Sequence, residues 1–393
     1  MVILSVSFDN IYMFNDFYLD FTYSRMINNT ISENDKLFPN SRINVRKNMI
    51  LMGGNAAGKT TFGKLLCAIN TFIAGSEISS KDLNLFNAVF DKNKSAKFII
   101  EFVVEKMAYR FECVFNSTEI LQEKLSKCPV RSSYNIQKLR EALQVAKPLE
   151  YTLPVLEQNV ETKKIKPFYS MLLKKSENKE LFATLSNNIG FHYSFSNFAE
   201  QSNAMPIVIT IKLLNKILPQ IDNSIKMVVG MSPNDDSIVN NTYIIVFNNG
   251  DQLTIPDGDL NKADKNRLSH GTYETLMFLS VLDEIESEQG NIIFVDEKLA
   301  HIHSELEAYL IRRAFLSNRN SQIFITSHNN ELLDLNIPYN AFMLFVRKQG
   351  YNQAFFISDK FNKNDRSLRN YYENDYFDVL PDYSSLDASF EEV

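Results

Sequence analysis

The chain has 393 residues, of which 45% are hydrophobic and 22% are charged, so its composition excludes a disordered protein. This length predicts roughly two to three lobes or domains. The net charge of −6 excludes a global positive field for nucleic acid, so any such interface would have to be a local basic surface.

The sequence lacks signals for export or for a membrane. Its N-terminus has no basic region followed by a cleavage site, and no window reaches about 18 uninterrupted apolar residues. The three cysteines form no C-x-x-C pair, which indicates a reducing compartment. We therefore expect a soluble cytoplasmic protein with no membrane partner.

The first third of the chain predicts strands around one strand-to-helix turn. Residues 1–24 alternate apolar and polar side chains in two runs around Asn15-Asp16, as an antiparallel hairpin would. An apolar run at 49–52 predicts a buried strand, and apolar residues at helical spacing predict a helix over 60–74. Another pair of strands is expected at 98–104 and 109–115.

The turn between that strand and helix fits the phosphate-binding pattern G-x-x-x-x-G-K-T. Backbone N–H groups of such a loop surround phosphate oxygens, Lys59 reaches the β- and γ-phosphates, and Thr60 offers a hydroxyl to Mg²⁺. A glycine-rich turn with a purely structural role is the alternative. The candidate nucleotide-binding residues are Gly53, Gly54, Asn55, Ala56, Ala57, Gly58, Lys59, Thr60 and Thr61.

The middle of the chain predicts a mostly helical insertion at 120–202, where Lys and Glu become frequent and Leu recurs at helical spacing. Acidic residues are interspersed throughout, which favours a solvated subdomain over a basic nucleic-acid groove. An amphipathic helix at 205–218 and a hairpin formed by 242–247 and 252–255 follow.

The last third alternates helices and strands. The pattern predicts helices at 271–289 and 304–316 and apolar strands at 291–295 and 322–326. Such alternation implies parallel βαβ units that bind ligands at the carboxyl ends of the strands.

Two carboxylates follow the strand at 291–295. In a nucleotide site Asp296 would hold Mg²⁺, and Glu297 would orient or deprotonate the attacking water. A non-catalytic role for Glu297 at the entry of a helix is the alternative.

Two short polar segments complete the candidate site. Ser269 and Gly271 open a helix and are suited to contacting a γ-phosphate, although Ser269 is also an ordinary N-cap residue. His328 follows the strand at 322–326 and would hydrogen-bond the γ-phosphate or the attacking water. A surface histidine without a function is the alternative.

The segments GGNAAGKT, LSHGT, IIFVDE and ITSHN resemble, in this order, the Walker A, signature, Walker B and switch-histidine motifs of the ABC-type ATPase head. Within that superfamily the chain resembles the SMC-, RecF- and OLD-like ATPases of bacterial abortive-infection and phage-defence systems, including the RloA/PtuA type. The likeness covers roughly residues 1–115 and 240–385.

This resemblance implies an α/β fold, an ABC-ATPase head with a mixed β-sheet and a P-loop core, plus the mostly helical insertion. It divides the chain into an N-terminal ATPase part with Walker A (1–119), the insertion (120–202) and a C-terminal ATPase part (203–393). It implies ATP and Mg²⁺ as cofactors, the latter held by Thr60 and Asp296.

The resemblance also assigns roles to the remaining candidates. Glu297 would be the catalytic base and His328 the switch. Ser269 and Gly271 would act on the nucleotide of a second subunit, which implies a homodimer or higher homo-oligomer with composite ATP sites.

The sequence departs from the family pattern at several positions. His270 replaces one of the two glycines of the signature motif, and Lys298 follows Asp296-Glu297 where proline is usual. His301 and His303 lie where a D-loop is expected; two histidines two apart suggest zinc, but no carboxylate or cysteine spacing completes a site. Gln158 and Gln201 are candidates for the Q-loop glutamine without further support.

The sequence predicts an ATPase subunit whose ATP-dependent dimerisation controls a separate effector, a nuclease or toxin, in antiviral defence. A separate effector is expected because the sequence shows no second catalytic domain. A DNA-binding ATPase of the repair or SMC type is the alternative, so a nucleic-acid partner is left open. A scaffold that binds ATP and barely hydrolyses it is a third candidate.

Overall fold

The structure is a computed structural model that describes residues 1–24, 35–78, 83–154, 167–195, 211–230, 242–256, 267–286, 290–297, 299, 301–360 and 367–379. The chain divides into two compact units. Unit 1 comprises residues 1–191 and 322–393, and unit 2 comprises residues 192–321.

Strands and helices are both abundant in the described residues, which confirms the predicted α/β class. The strands are β1 (Val2–Asp9), β2 (Phe17–Asp20), β3 (Thr22–Tyr23), β4 (Asn44–Val45), β5 (Asn48–Met52), β6 (Ala96–Val104), β7 (Met107–Phe115), β8 (Ile120–Pro129), β9 (Leu149–Thr152), β10 (Phe191–Phe195), β11 (Ile225–Gly230), β12 (Tyr243–Phe247), β13 (Gln252–Ile255), β14 (Ile292–Asp296), β15 (Gln322–Thr326), β16 (Phe342–Lys348) and β17 (Tyr351–Phe356). The α-helices are α1 (Lys59–Ile73), α2 (Leu85–Ala88), α3 (Ile136–Val145), α4 (Lys179–Asn188), α5 (Ile211–Ile221), α6 (His270–Glu286), α7 (Ser304–Ser317), α8 (Ile357–Lys360) and α9 (Leu368–Glu373).

An antiparallel sheet of unit 1 has the strand order β2-β1-β6-β7-β8-β9. The pairing of β1 with β2 confirms the hairpin predicted for residues 1–24. Strands β6 and β7 are also confirmed, and they are joined by Glu105 and Lys106, whose φ angles are 49° and 65°. Two successive residues with positive φ form the tight turn that matches the twist of a hairpin.

The P-loop strand β5 lies in the parallel part of unit 1. It pairs in parallel with β15 on one side and with β16 on the other, and β17 continues antiparallel to β16. All five residues of β5 are buried. This explains the continuous apolar run at 49–52, since a strand covered on both faces has no polar side.

Helix α1 packs against aromatic residues of both sheets of unit 1. Phe62 contacts Phe8 of the antiparallel sheet and Phe345 of the parallel part, with ring centroids 6.2 Å and 5.5 Å apart. Further along the same helix, the ring of Phe72 packs edge to face against Phe98 and Phe111. Each such pair adds about 0.5–1.5 kcal/mol beyond the burial of its surface. Aromatic packing therefore fixes α1, and with it the loop at its N-terminus.

A buried glutamine joins the N-terminal strand to the parallel part of unit 1. The side chain of Gln322 accepts a hydrogen bond from Ile3 N at 2.9 Å and donates to the carbonyl oxygens of Ile3 and Arg46, each at 3.1 Å. Gln322 is fully buried, so these bonds satisfy its amide without water.

The residues predicted as a mostly helical insertion contain the expected helices and, beside them, strands. Helices α3 and α4 have ten residues each, whereas β8 and β9 extend the antiparallel sheet of unit 1. In the second half of β8, buried Leu125 and Cys128 lie among more exposed Lys and Ser side chains. Lys and Glu side chains on the exposed face of such a strand interrupt the apolar–polar alternation, so the sequence pattern did not predict a strand here. The three domain boundaries proposed from the sequence stay predictions.

Unit 2 contains an antiparallel sheet and the helices α5, α6 and α7. The sheet order β11-β12-β13 confirms the hairpin predicted around Asn249-Gly250. Helix α5 corresponds to the end of the amphipathic helix expected at 205–218, whose residues 205–210 lie outside the described residues. Helices α6 and α7 and strand β14 confirm the remaining elements, and α6 packs on α7. None of the helices in the described residues has the length and apolar character that crossing a bilayer requires.

Candidate functional site

The loop between β5 and α1 has a conformation that only glycine allows at two positions. Gly53 has φ 134°, and a Cβ atom there would lie 2.2 Å from the backbone oxygen of Phe345. Gly58 has φ 103°, and its Cβ would lie 2.5 Å from Nδ2 of Asn352. Positive φ and close approach together require glycine at both positions. The neighbouring strands β16 and β17 therefore determine the shape of this loop.

Lys59 places its ammonium group inside the loop. Its Nζ donates to the carbonyl oxygens of Gly53 at 2.8 Å and Gly54 at 3.2 Å, and the residue is 5% exposed. In the described residues no side chain caps the N-terminus of α1, and its first turn has no acidic residue. Backbone N–H groups and the positive end of the helix dipole thus face the same loop. This arrangement suits a phosphate group.

The remaining candidates of the loop differ in exposure. Asn55 and Ala56 are exposed, Ala57 is buried, and Thr60 and Thr61 are half-buried at the start of α1. Ala56 has φ 60°, which is uncommon for a residue with a Cβ and keeps the exposed part of the loop tightly curved.

His328 lies just after strand β15, at the edge of the sheet in unit 1 where the P-loop begins. Strand β15 pairs in parallel with β5, and Ser327 N donates to the oxygen of Leu51 at 3.1 Å. Parallel strands end at the same edge of a sheet, so the exposed His328 and the loop that follows Met52 emerge there together.

Tyr372 of α9 is a contact to the P-loop that the sequence did not predict. The hydroxyl of this buried residue is hydrogen-bonded by the backbone of Gly53. Burial raises the pKa of Tyr372, and the hydrogen bond from Gly53 opposes that shift. Arg369 of the same helix pairs with Asp334 at 3.1 Å, six residues after His328. Helix α9, which lies in the C-terminal part covered by the family resemblance, thus links the P-loop to the segment that follows His328.

Strand β14 of unit 2 ends at the two predicted carboxylates. Every residue of β14 is buried, and Asp296 is 1% exposed. Glu297 has φ 51°, in the left-handed region that non-glycine residues rarely occupy. Such conformations are held in place by the surrounding structure and cluster at functional sites. The chain therefore turns sharply at Glu297, which is half-buried.

Ser269 and Gly271 lie at the start of α6, and the structure gives each a local role. The Ser269 hydroxyl accepts a hydrogen bond from Thr272 N at 3.0 Å, which is the arrangement of an ordinary N-cap residue. Asp222 accepts a hydrogen bond from the Thr272 hydroxyl at 2.6 Å. A Cβ at Gly271 would lie 2.9 Å from the backbone oxygen of His301. Capping and close packing account for these residue types without a ligand.

The described part of the chain contains no group of three or more His, Cys, Asp or Glu side chains able to hold a metal ion. Gln158 and Gln201 lie outside the described residues. The candidate site residues are thus divided between the units: the P-loop and His328 are in unit 1, and Ser269, Gly271, Asp296 and Glu297 are in unit 2.

Residues 49–334 match a protein-family model described as "AAA domain, putative AbiEii toxin, Type IV TA system". The chain belongs to this AAA family. The matched region begins in β5 and ends after His328, so it includes every candidate residue of the site. No curated protein matches the sequence of this AAA protein.

Solved structures similar to this AAA protein include heads of SMC proteins. One is an SMC head bound to the C-terminal winged-helix domain of ScpA, with 11% identity and a TM-score of 0.48, covering 92% of this chain and 100% of that chain. An SMC head domain from Thermotoga maritima has 11% identity and a TM-score of 0.41, with 91% and 99% covered. A head from Pyrococcus furiosus, bound to the C-terminal domain of ScpA, has 11% identity and a TM-score of 0.43, with 91% and 97% covered.

Proposed function

We propose that this AAA protein binds ATP with Mg²⁺, hydrolyses it, and uses ATP-dependent dimerisation to control a separate effector protein in antiviral defence. The observation that carries the ATP-binding part is the position of the Lys59 ammonium, 2.8 Å and 3.2 Å from two carbonyl oxygens of the glycine loop. A triphosphate offers this ammonium stronger, charged acceptors than those two carbonyls.

The residues of the loop fit the cofactors. Gly53 and Gly58 keep side chains out of the space that phosphate oxygens need, and Lys59 supplies positive charge. Thr60 would offer its hydroxyl to Mg²⁺, and the buried Asp296 would support the metal. When bound, Mg²⁺ neutralises charge that develops on the phosphates during phosphoryl transfer.

Hydrolysis requires a group that orients or deprotonates water. We assign this role to Glu297, because its left-handed backbone conformation at the end of a buried strand is unusual for glutamate. His328, at the edge where the P-loop begins, would hydrogen-bond the γ-phosphate.

Glu297→Gln should keep ATP binding and slow turnover by a factor of about 100 or more, since an amide cannot accept the proton from water.

Lys59→Ala tests the ATP site directly. Loss of the ammonium should lower ATP affinity at least about a hundredfold, because charge-assisted contacts to phosphate disappear. The control is Lys64→Ala, which removes a lysine from the same helix, five residues later and outside the loop. Titration with a fluorescent ATP analogue measures both variants. Unchanged affinity in folded Lys59→Ala would refute the assignment of the loop.

Dimerisation is tested by mixing two defective chains. In a composite site, Ser269 and Gly271 of one copy would close over ATP held by Lys59 of the other. A heterodimer of Ser269→Arg and Lys59→Ala chains then has one site with both defects and one site with neither. Mixing should restore up to about half of the activity per dimer, provided that subunits exchange. No recovery in verified heterodimers would contradict the composite site.

The effector part rests on the family, whose description includes a putative toxin of a toxin–antitoxin system. A nuclease or toxin encoded beside this gene should affect growth or phage yield only when co-expressed with the chain that has an intact Lys59. If duplex DNA alone stimulates the ATPase and no neighbouring gene is needed, the protein is a DNA-binding ATPase of the repair or SMC type.

A further inference from the structure

A buried carboxylate holds an exposed imidazole beside the start of α6 in unit 2. Glu274 accepts hydrogen bonds from ring Nδ1 of His301 at 2.6 Å and from the backbone N–H of His301 at 2.9 Å. Glu274 is 8% exposed, whereas the side chain of His301 is 63% exposed. Two bonds from one buried group fix both the backbone and the ring of His301.

Gly271 permits this contact. Its missing side chain lets the backbone oxygen of His301 approach the first turn of α6, where a Cβ would lie only 2.9 Å away. Glu274 lies three residues after Gly271, on the same face of the helix, and its carboxylate therefore reaches His301. The glycine of the signature-like segment and the His301 contact are thus parts of one arrangement.

His270 places a second imidazole next to His301. The two ring centroids are 5.4 Å apart, with 34° between the ring planes. Among the residues that the structure describes, neither the His270 ring nor Nε2 of His301 has a hydrogen-bond partner. Within the described ranges, the titratable groups that contact His301 are Glu274 and His270, both from α6, and His303 follows on its own segment. Two imidazole edges are therefore left for a ligand.

The chemistry of Glu274 determines what His301 can bind. A carboxylate only accepts hydrogen bonds, so Nδ1 of His301 donates to Glu274, and Nε2 is the atom that meets a ligand. When His301 is protonated, Nε2 carries a hydrogen and donates, while Glu274 balances the positive charge. A phosphate oxygen is the acceptor that suits such an imidazolium.

We propose that His301, oriented by Glu274 and flanked by His270, binds a phosphate oxygen of the ATP held on the P-loop of a second copy. The proposal rests on the proposed function, because it requires ATP to lie between two copies. His301 is then a ligand of the nucleotide, and Glu274 is a positioning residue that acts through it. His270 supplies a second imidazole where the signature motif has glycine.

The experiment uses the full-length Glu297→Gln chain as the parent, because slow hydrolysis keeps ATP bound. Analytical ultracentrifugation with ATP measures dimerisation, and ATP titration of the monomer reports folding of unit 1. His301→Ala should weaken dimerisation about tenfold per site and leave monomer ATP affinity unchanged. If the parent does not dimerise with ATP, the proposed function fails. If the parent dimerises and His301→Ala dimerises equally well, the assignment of His301 fails.

A pH profile of dimerisation distinguishes a Glu274 that orients the His301 ring from a Glu274 that only packs against it. Nε2 needs a hydrogen to donate to phosphate while Nδ1 donates to Glu274, so the ATP-bound dimer holds one more proton per site, and dimerisation of the parent should weaken as the pH rises. In Glu274→Gln the amide oxygen can still accept from the His301 backbone, while the amide N–H donates to Nδ1. Nε2 then carries hydrogen in the neutral ring. This variant should dimerise with a pH dependence smaller by about one proton per site.

The matched control is Glu286→Gln, which changes a carboxylate of the same helix that pairs with Arg313 at 3.1 Å instead of with His301. It should keep the pH profile of the parent. Identical profiles for the parent and Glu274→Gln would overturn the positioning role of Glu274.

Discussion

The P-loop of unit 1 and the signature-like segment of unit 2 both contain glycine, for different physical reasons. Gly53 and Gly58 have φ angles of 134° and 103°, and neighbouring strands occupy the space of a side chain at both. Gly271 lies at the start of a helix without a positive φ, and its Cβ would lie 2.9 Å from the backbone oxygen of His301, with Cγ2 of Ile302 at an ordinary 3.5 Å. The first two glycines are required by the conformation of the loop, the third by one contact.

Gly53 and Gly58 are therefore needed for the protein to fold, whereas Gly271 is needed for a contact at the surface. The P-loop is built against buried residues, so its glycines are needed even without a nucleotide. The start of α6 is exposed, and what Gly271 admits there is an oriented, exposed imidazole. Substitutions in the two regions should therefore differ in whether they affect stability or ATP-dependent assembly.

The largest expected effect belongs to Gly53→Ala. A methyl group 2.2 Å from a backbone oxygen must displace β16 or the loop, at a cost of about 3 kcal/mol or more in unfolding free energy. Gly250→Ala is the control, because Gly250 also has a positive φ, 88°, but nothing lies within 4 Å of its Cβ position. That control should cost about 1 kcal/mol. Chemical denaturation compares them, and equal costs would contradict the role of packing.

Gly271→Ala should have a smaller effect on stability and a selective effect on assembly. Alanine gains about 1 kcal/mol of helix propensity, which offsets the clash with His301, so the unfolding free energy should change by less than about 1 kcal/mol. Displacement of His301 should weaken ATP-dependent dimerisation about tenfold. Ultracentrifugation of the Glu297→Gln parent with and without Gly271→Ala measures this. Loss of stability with unchanged dimerisation would reverse the comparison.

Tyr372→Phe should have the smallest effect and tests how far the P-loop depends on α9. The variant loses the hydrogen bond between the Tyr372 hydroxyl and the Gly53 backbone. We expect a loss of about 1 kcal/mol in stability and a few-fold decrease in ATP affinity. Tyr376→Phe is the control, since Tyr376 is 61% exposed. Equal ATP affinities for both variants and the unchanged protein would show that α9 does not support the loop.

Local patterns in the sequence were sufficient for the secondary structure around the candidate site. Strand β15 has the predicted bounds 322–326, and α1 begins one residue before the predicted helix over 60–74. The glycines and Lys59 of the loop were recognised from spacing alone, because a strand followed by a glycine turn and a helix is encoded within about 25 residues. The two carboxylates were recognised from the apolar strand that precedes them. Their catalytic roles stay predictions.

Contacts between distant parts of the chain were decided only by the tertiary structure. The strands β8 and β9 carry polar side chains on their exposed face and gain their identity from pairing in a sheet. Tyr372 reaches Gly53 across more than 300 residues, and Glu274 reaches His301 across 27. Local propensity contains no information about such partners. The sequence by itself therefore determined the loop that suits phosphate, whereas only folding decided which side chains hold that loop and orient His301.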